Sequence, residues 1–350
     1  MQIDMHYGGA YAMALAAGIP GPDAAVIAYA SQFVDDSNRY DSEVHEDGGL
    51  LFGITTSAHP HPSLIDLKKP LHGESMEEQR KIWTPFHFFP GGKGDSFREK
   101  ILCGKDSGLV REMLDNHLEA APKKAFTLEL IGLGAHAYAD TFSHYGFSGL
   151  GSPLNEITGG LELITPVKPE IFKYITDKAK ALTEKTLKAE GKPSNPPGHI
   201  AVSDWPDRPY LNWRFNFAQP RPDCESVRDN QATFFEACKG LYGYFSRFAK
   251  IYYGGVPARA FEEIAPQIKD VLAFQGTRGQ RLELWKQSGL ATGMPEYSPW
   301  DWEREKTVFT ENKDSAQGIR THIYRFHQAA AYHRYFVLKD LLPSHGLAVF

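Results

Sequence analysis

The sequence predicts an all-α fold, a compact multi-helix domain with long covering loops. Apolar residues recur at helical spacing wherever a period is visible, and from Val26 to Phe33 they fall at positions i, i+3, i+4 and i+7. Alternation of apolar and polar residues, which is typical of a half-buried strand, is scarce. Hydrophobic residues make up 42% of the 350 and charged residues 23%, so the composition is that of a chain that folds around a core.

Helical periodicity predicts helices along most of the chain. They are Tyr7–Gly18, a segment that opens at Pro22-Asp23 and runs into Val34-Asp35-Asp36, Gly108–Ala120, Ala125–His144, Pro169–Glu190, Asn230–Tyr253, Ala258–Phe274 and Gly318–Leu342. The stretches Gly48–Gly94 and Gly191–Cys224 exceed ordinary loop lengths, so we expect functional covering loops. No linker or repeat divides the chain, which we interpret as one helical domain over 1–350. The ligand-bearing motifs described below lie in 1–210, and a helical C-terminal part spans 228–345.

Charge and motif content exclude several function classes. Lys and Arg number 38 against 43 Asp and Glu, a net charge of −5, so no basic excess can neutralise a phosphate backbone and nucleic acid is not expected as a stable partner. No run of 18 apolar residues occurs, so no membrane span is expected. The sequence also lacks a G-x-S-x-G nucleophile elbow, a Walker A motif and a G-x-G-x-x-G motif.

Cysteine use and the N-terminal segment predict a cytoplasmic protein. The three cysteines, Cys103, Cys224 and Cys238, form no C-x-x-C pair, so neither a disulfide framework nor a thiolate zinc site is indicated. The apolar stretch Ala10–Gly18 lacks preceding Lys or Arg, and Asp4 stands where a signal peptide would carry positive charge. We interpret this stretch as a helix.

The strongest local signal is a series of residues four apart: Gly132, His136, Asp140 and His144. A four-residue step turns a helix by about 40°, so these residues form one slowly drifting stripe. Two imidazoles and a carboxylate then converge beside a glycine, and such donors suit Zn²⁺, Fe or Mn²⁺. The alternative is a buried His–Asp hydrogen bond with His144 on the surface. The full stripe favours a divalent metal.

Two acids, Asp35 and Asp36, end an apolar helix. Carboxylates at the negative end of a helix dipole each cost roughly 0.3–1 kcal/mol unless a cation compensates them. A metal ion is such a cation, which makes both acids candidate ligands. In the alternative interpretation the helix ends earlier and Asn38 or Arg39 satisfies two solvated acids.

Three further histidines are candidate ligands: His6 ahead of the first helix, His87 in an aromatic loop, and His199 in a proline-rich loop. Phe and Trp around His87 make a charged imidazole costly, so a neutral, metal-ligating ring fits there, as does a core histidine bonded to backbone. Among the other histidines, we expect His59 and His61 to be solvated in a loop. We expect His322, His327 and His333 to be structural.

Several motifs together resemble an uncharacterised family of bacterial and fungal proteins. They are Ile3-Asp4-Met5-His6-Tyr7, Ile27 to Asp36, Pro85-Phe86-His87-Phe88-Phe89-Pro90, Ala135 to His144, and Gly198-His199 with Pro206-Asp207-Arg208-Pro209. The resemblance extends over roughly residues 1–235, and it implies no established activity.

More distantly, the order of these residues looks like the zinc-dependent phospholipase C and S1/P1 nuclease superfamily, whose members are helical and hold three metal ions. The resemblance implies that His6 is the first histidine ligand, Asp35 or Asp36 the bridging aspartate, and His87 the next histidine. His136 and Asp140 would match the central H-x-x-x-D, and His144 the histidine after it. This chain has a shorter spacing to the last histidine and no later H-x-x-x-E, so one or two metals are expected.

We therefore predict a metal-dependent hydrolase that acts on a phosphoester or a related small molecule through a metal-activated water. The metal is a divalent ion, zinc in the first place and iron or manganese otherwise. Asp35 or Asp36 is the predicted general base, and Arg208 is the predicted clamp for an anionic substrate.

Three alternatives stay open. An HD-like protein with paired iron would oxygenate a small molecule with the same ligand types. A Mg-dependent lyase or terpene-type cyclase would use Asp35-Asp36-Ser37-Asn38 beneath a diphosphate. A non-enzymatic metal-binding protein would leave no open coordination position for water.

Overall fold

The fold is described from a computed structural model over residues 1–38, 42–57, 79–177, 198–219, 227–255 and 259–349. Its α-helices are α1 (Ala10–Ala16), α2 (Gly21–Asp36), α3 (Phe97–Lys100), α4 (Gly108–Ala120), α5 (Thr127–His144), α6 (Asn230–Tyr253), α7 (Phe261–Ala273), α8 (Arg278–Gln287), α9 (Trp300–Glu311), α10 (His322–Tyr335) and α11 (Leu342–Ser344). Residues 169–177 are also helical. The prediction of a mainly helical fold is confirmed.

Helix α5 is the central element of the larger hydrophobic core. It packs against α2, α4, α6 and α10, and its residues from Leu130 to His144 are all buried. Gly132 allows α2 to approach closely, and Gly134 leaves room for Tyr244 of α6 and His117 of α4. The stripe of Gly132, His136, Asp140 and His144 on α5 is therefore buried.

In the described ranges, three segments form π-helices: Asp4–Gly9, Gln79–His87 and Phe336–Leu341. The first runs directly into α1. The second lies within Gly48–Gly94, which we expected to be a covering loop, and Pro85 interrupts its backbone hydrogen bonding because proline has no N–H. Isolated π-helical turns are frequent at functional sites, and two of these segments carry candidate ligands, His6 and His87.

The part of the chain that the structure describes also contains two small antiparallel sheets. β1 (Glu43–Val44) pairs with β2 (Leu50–Leu51), and a three-stranded sheet has the order β3 (Ile157–Leu163), β4 (Asn212–Phe217), β5 (Val227–Asp229). The larger sheet contributes to a second, smaller hydrophobic core that includes Trp205, Trp213 and Phe215. The sheet corrects the expectation that residues 191–224 are a loop.

Predicted helix boundaries vary in accuracy. The bounds predicted for α4 and α6 match the structure. Helices α8 and α9 lie in the predicted helical C-terminal part, 228–345, but outside the individual helices predicted there. The predicted helix Pro169–Glu190 is seen at 169–177, and its remainder lies outside the described residues. None of the helices in the described part of the chain has the length and apolar content that a membrane span requires.

Candidate metal centre

Helix α5 carries three candidate ligands, His136, Asp140 and His144, on one buried stripe. One turn before His136, Gly132 leaves no side chain between α5 and α2. A Cβ atom at Gly132 would lie 2.2 Å from the carbonyl oxygen of Ile27. The two helices are therefore in close contact, and the C-terminal end of α2 comes beside the stripe.

The first group of donors consists of His6, His136 and Asp140, whose ligand atoms lie within 4.8 Å of one another. Nε2 of His6 is 3.1 Å from Oδ1 of Asp140, and Nε2 of His136 is 3.3 Å from Oδ2. The rings of His6 and His136 stack with their centroids 3.8 Å apart. All three side chains are buried.

The second group consists of Asp35, His87 and His136 and shares His136 with the first. Nδ1 of His87 lies 3.2 Å from Nε2 of His136 and 3.8 Å from Oδ1 of Asp35. The same Nδ1 is 3.2 Å from Oδ2 of Asp140. Asp140 therefore lies between the two groups, with one carboxylate oxygen toward each.

The third group consists of His144, His199 and Asp207. Nε2 of His144 is 3.2 Å from Oδ1 of Asp207, and Nε2 of His199 is 3.6 Å from Oδ2. The amino nitrogen of Met1 contacts Oδ1 of Asp140 and lies 3.2 Å from Oδ1 of Asp207. This nitrogen connects the third group to the first.

Backbone carbonyls fix the proton on four of the imidazole rings. The ring nitrogens that face carbonyls are Nδ1 of His136 at 2.7 Å from Ser31, Nε2 of His87 at 2.8 Å from Thr56, Nδ1 of His144 at 2.7 Å from His87, and Nδ1 of His199 at 2.6 Å from Ser203. Since a carbonyl oxygen can only accept, each of these nitrogens donates, and the second nitrogen of a neutral ring keeps its lone pair. These lone pairs point toward carboxylate oxygens and toward one another.

Acceptors that face acceptors repel unless a cation lies between them. Neither ring nitrogen of the buried His6 has a hydrogen-bond partner among the described residues, although buried polar atoms normally have one. A backbone carbonyl on the outer nitrogen is also the usual arrangement around a metal-ligating histidine. The mixed imidazole and carboxylate set therefore fits a divalent transition metal.

Burial and charge set the protonation of the group. Burial and the adjacent ring of His136 hold the pKa of His6 well below its usual range, and burial also lowers the pKa of His144. Burial raises the pKa of Asp35 to about 7. For Asp140, burial acts in the opposite direction, but His144 and the Met1 amine hold its pKa well below the usual range. The centre thus combines neutral rings at His6 and His144 with an ionised carboxylate at Asp140.

Comparison with known proteins gives a family but no activity. Residues 1–341 match a family of unknown function, DUF6765. The chain belongs to this family. The predicted resemblance to an uncharacterised family is confirmed, and the DUF6765 match continues well beyond residue 235, where we expected it to end. No curated protein and no solved structure matches the chain, so these comparisons give no support to a similarity with phospholipase C or S1/P1 nuclease.

Two residues that we predicted for the site of this DUF6765 chain have other partners. Oδ2 of Asp36 accepts hydrogen bonds from Nε2 of Gln32 at 3.1 Å and from the Tyr297 hydroxyl at 2.6 Å, and Asp36 belongs to none of the three groups. The fully buried Arg208 donates to both oxygens of Asp204, so its guanidinium binds one of the protein's own carboxylates.

The histidines expected to be structural are each bonded within the fold. His322 lies 2.8 Å from Oε1 of Glu129, His327 accepts from the N–H of Ile54, and His333 bonds the carbonyl of Pro85. His59 and His61 lie outside the described residues. Asp207 is the candidate donor that we did not assign to the site, although it lies in the Pro206-Asp207-Arg208-Pro209 motif close after His199.

Proposed function

We propose that this chain is a metal-dependent hydrolase whose centre holds two or more divalent ions. The observation that carries the proposal is the convergence of imidazole lone pairs on carboxylate oxygens inside the protein. His6, His136 and Asp140 would hold one ion, and Asp35, His87 and His136 would supply donors for another. His144, His199 and Asp207 offer a third set of donors.

Bound metal ions would lower the pKa of a coordinated water and stabilise negative charge that develops on substrate oxygens. The chain's own contribution begins with Asp35, whose side chain is 22% exposed, whereas those of His87 and His136 are 3% and 0% exposed. Asp35 is therefore the member of its group that an incoming substrate and water can reach. We assign it the role of general base when it is not bound to a metal ion.

A phosphoester is the proposed substrate class. Its support is the order of His6, Asp35, His87, His136 and Asp140 along the chain, which resembles that of zinc-dependent phospholipases and S1/P1 nucleases. Paired metal ions suit phosphoester hydrolysis because they can stabilise both the attacking and the leaving oxygen. Zinc is accordingly the first candidate metal.

A di-iron oxygenase is the second candidate function. The donor set of imidazoles and carboxylates that favours zinc suits iron equally well. The bound metal and the reaction with dioxygen separate the two functions.

Metal analysis and model substrates test both proposals. Protein purified without a chelator or a His tag should contain at least one equivalent of zinc and should hydrolyse p-nitrophenyl phosphate or bis(p-nitrophenyl) phosphate. Asp35→Asn should lose most of this hydrolysis together with part of the metal of the second group, because an amide is a poorer ligand than a carboxylate. Iron together with oxygen consumption would favour the oxygenase. A fully metal-loaded protein that cleaves neither substrate and consumes no oxygen would overturn both proposals.

A further inference from the structure

Arg281 is a buried cation on α8, outside all three donor groups, and its side chain is only 1% exposed. It donates to Asp4 from Nε at 2.7 Å and from Nη2 at 3.0 Å. Nη2 also donates to Oε1 of Gln2 at 2.6 Å, and Nη1 donates to the carbonyl of Gly276 at 2.8 Å. All three guanidinium nitrogens are bonded, which a buried charge requires.

The hydrogen bonds continue from the N-terminal segment to a second part of the chain. Nε2 of Gln2 donates to Oδ2 of Asp204 at 3.3 Å. Asp204 also accepts from Nε of Arg208 at 3.1 Å and from Nη2 at 2.6 Å. We call these five residues, Gln2, Asp4, Asp204, Arg208 and Arg281, the Arg281 network.

Two members of the Arg281 network, Asp4 and Asp204, lie next to candidate ligands in the chain. Asp4 and His6 belong to the same π-helix, Asp4–Gly9. Asp204 is the N-cap of the 3₁₀ turn Trp205–Asp207, which ends at the ligand Asp207. The network thus joins the backbone that carries His6 to the backbone that carries Asp207.

His6 depends on this anchoring more than the other histidines do. His136, His87, His144 and His199 each have one nitrogen fixed by a carbonyl. His6 has no such bond to a carbonyl among the described residues. Its place is set by stacking on His136, by the 3.1 Å contact of Nε2 with Asp140 and by the backbone of its π-helix. The contact of Arg281 with Asp4 fixes that backbone two residues away.

We propose that Arg281 is a positioning residue, which through the Arg281 network holds His6 and Asp207 at the spacing that the metal centre needs. The inference rests on the proposed function, since it gives Arg281 a part in the same centre. Outer-shell partners of metal ligands typically change metal affinity by about 10–100-fold when they are removed. A comparable loss is expected here.

Titration of the metal-free full-length chain with Co²⁺, followed by visible absorption, tests the proposal. Arg281→Met should weaken Co²⁺ binding by about 10–100-fold and alter the ligand-field bands. Arg281→Lys should recover part of the affinity, because an ammonium group can bond Asp4 but cannot also replace the contacts with Gln2 and Gly276. Phe309→Ala is the matched control, since it removes a buried side chain of α9 away from the network and should leave the Co²⁺ spectrum unchanged.

Hydrogen–deuterium exchange separates failure of this inference from failure of the proposed function. Arg281→Met should speed exchange in residues 1–9 and 204–211 and leave α4 unchanged. If the wild-type protein binds no Co²⁺, the proposed function is overturned, and exchange alone decides whether Arg281 holds both segments. Unchanged Co²⁺ binding in Arg281→Met would overturn the positioning role, whatever happens to exchange.

Discussion

Asp140 is a buried carboxylate that contacts three histidines of the centre. Its two carboxylate oxygens face His6 on one side and His87 and His136 on the other, at 3.1–3.3 Å. The side chain is 1% exposed, so water cannot screen it. The Met1 ammonium contacts Oδ1, whereas Oδ2 faces only ring nitrogens of His87 and His136 at these distances, so a metal ion would supply the cation on the Oδ2 side. Asp140 is therefore the residue at which the metal hypothesis is most sharply tested.

We expect Asp140→Asn to keep the size and helix of the wild type while losing about one equivalent of metal or more, because a neutral amide is a poor ligand and cannot balance a divalent charge. His136→Ala should do likewise, since His136 belongs to two groups. Metal stoichiometry by elemental analysis, together with the melting temperature, measures the effect.

His322→Ala serves as the control, because His322 bonds Glu129 at the far end of α5 and should leave metal content unchanged. If the stripe were only structural, Asp140→Asn would lower the free energy of unfolding by about 1–3 kcal/mol through lost hydrogen bonds and leave the metal content as it was. Full metal occupancy in folded Asp140→Asn and His136→Ala would contradict our assignment.

The residues that could be predicted are those whose proximity follows from one helix. His136, Asp140 and His144 are four apart, so helix geometry alone aligns them. Asp207 could not be predicted in the same way, because its approach to His144 depends on a 3₁₀ turn and on contacts between distant segments. The sequence likewise did not predict that Asp36 would face Tyr297, which lies 261 residues away.

At the scale of elements, long amphipathic helices could be predicted and short irregular ones could not. The periodicity of α4 and α6 was clear enough to locate their ends. The sheet was missed although β4 alternates buried Trp213 and Phe215 with outward Arg214. The π-helix Gln79–His87 could not be predicted because Pro85 signals a break in an ordinary α-helix.

The contact between α2 and α5 supports a prediction at this scale. A methyl group at Gly132 would lie 2.2 Å from the carbonyl oxygen of Ile27 and 2.8 Å from Cβ of Ala30, so the helices would have to separate. Gly132→Ala should therefore lower the free energy of unfolding by about 1–3 kcal/mol and weaken metal binding, because Asp35 lies on α2 and His136 on α5. Urea denaturation and a metal titration measure the two effects.

Gly243→Ala on α6 is the matched control. A Cβ atom there has nothing within 4 Å, and alanine is favoured over glycine in a helix by roughly 0.5–1 kcal/mol. The control should be slightly more stable than the wild type, with unchanged metal binding. If Gly132→Ala behaved in the same way, the close approach of α2 and α5 would not matter for the site.

At the scale of the whole molecule, buried neutral histidines predict a loss of stability in acid. Burial lowers the pKa of His327 to about 3 and that of His333 to about 4, whereas an unfolded histidine titrates near 6.5. Below that pH the unfolded chain binds protons that the folded chain does not, so the free energy of unfolding should fall as the pH drops from about 6.5 toward 4.

His327→Leu removes one of these two titrating histidines and so tests its contribution to the pH dependence. The variant should be less stable at neutral pH, since the N–H of Ile54 loses its acceptor. Its free energy of unfolding should nevertheless fall less steeply in acid than that of the wild type, by up to about 1.4 kcal/mol per pH unit. Urea denaturation of both proteins at several pH values gives the slopes, and equal slopes would contradict the prediction.

Metal removal tests the assembly of the centre as a whole. Its donors come from separate segments, from residue 6 to residue 207, and meet only in the folded chain, so metal binding should stabilise that chain over the unfolded one. An ion present at 100 times its dissociation constant adds about 2.7 kcal/mol, and EDTA should accordingly lower the melting temperature by several degrees, with full recovery on readdition. In Asp140→Asn the effect of EDTA should be smaller than in the wild type. A melting curve that stays unchanged after verified removal of metal would show that the three donor groups hold the fold together through their own contacts alone.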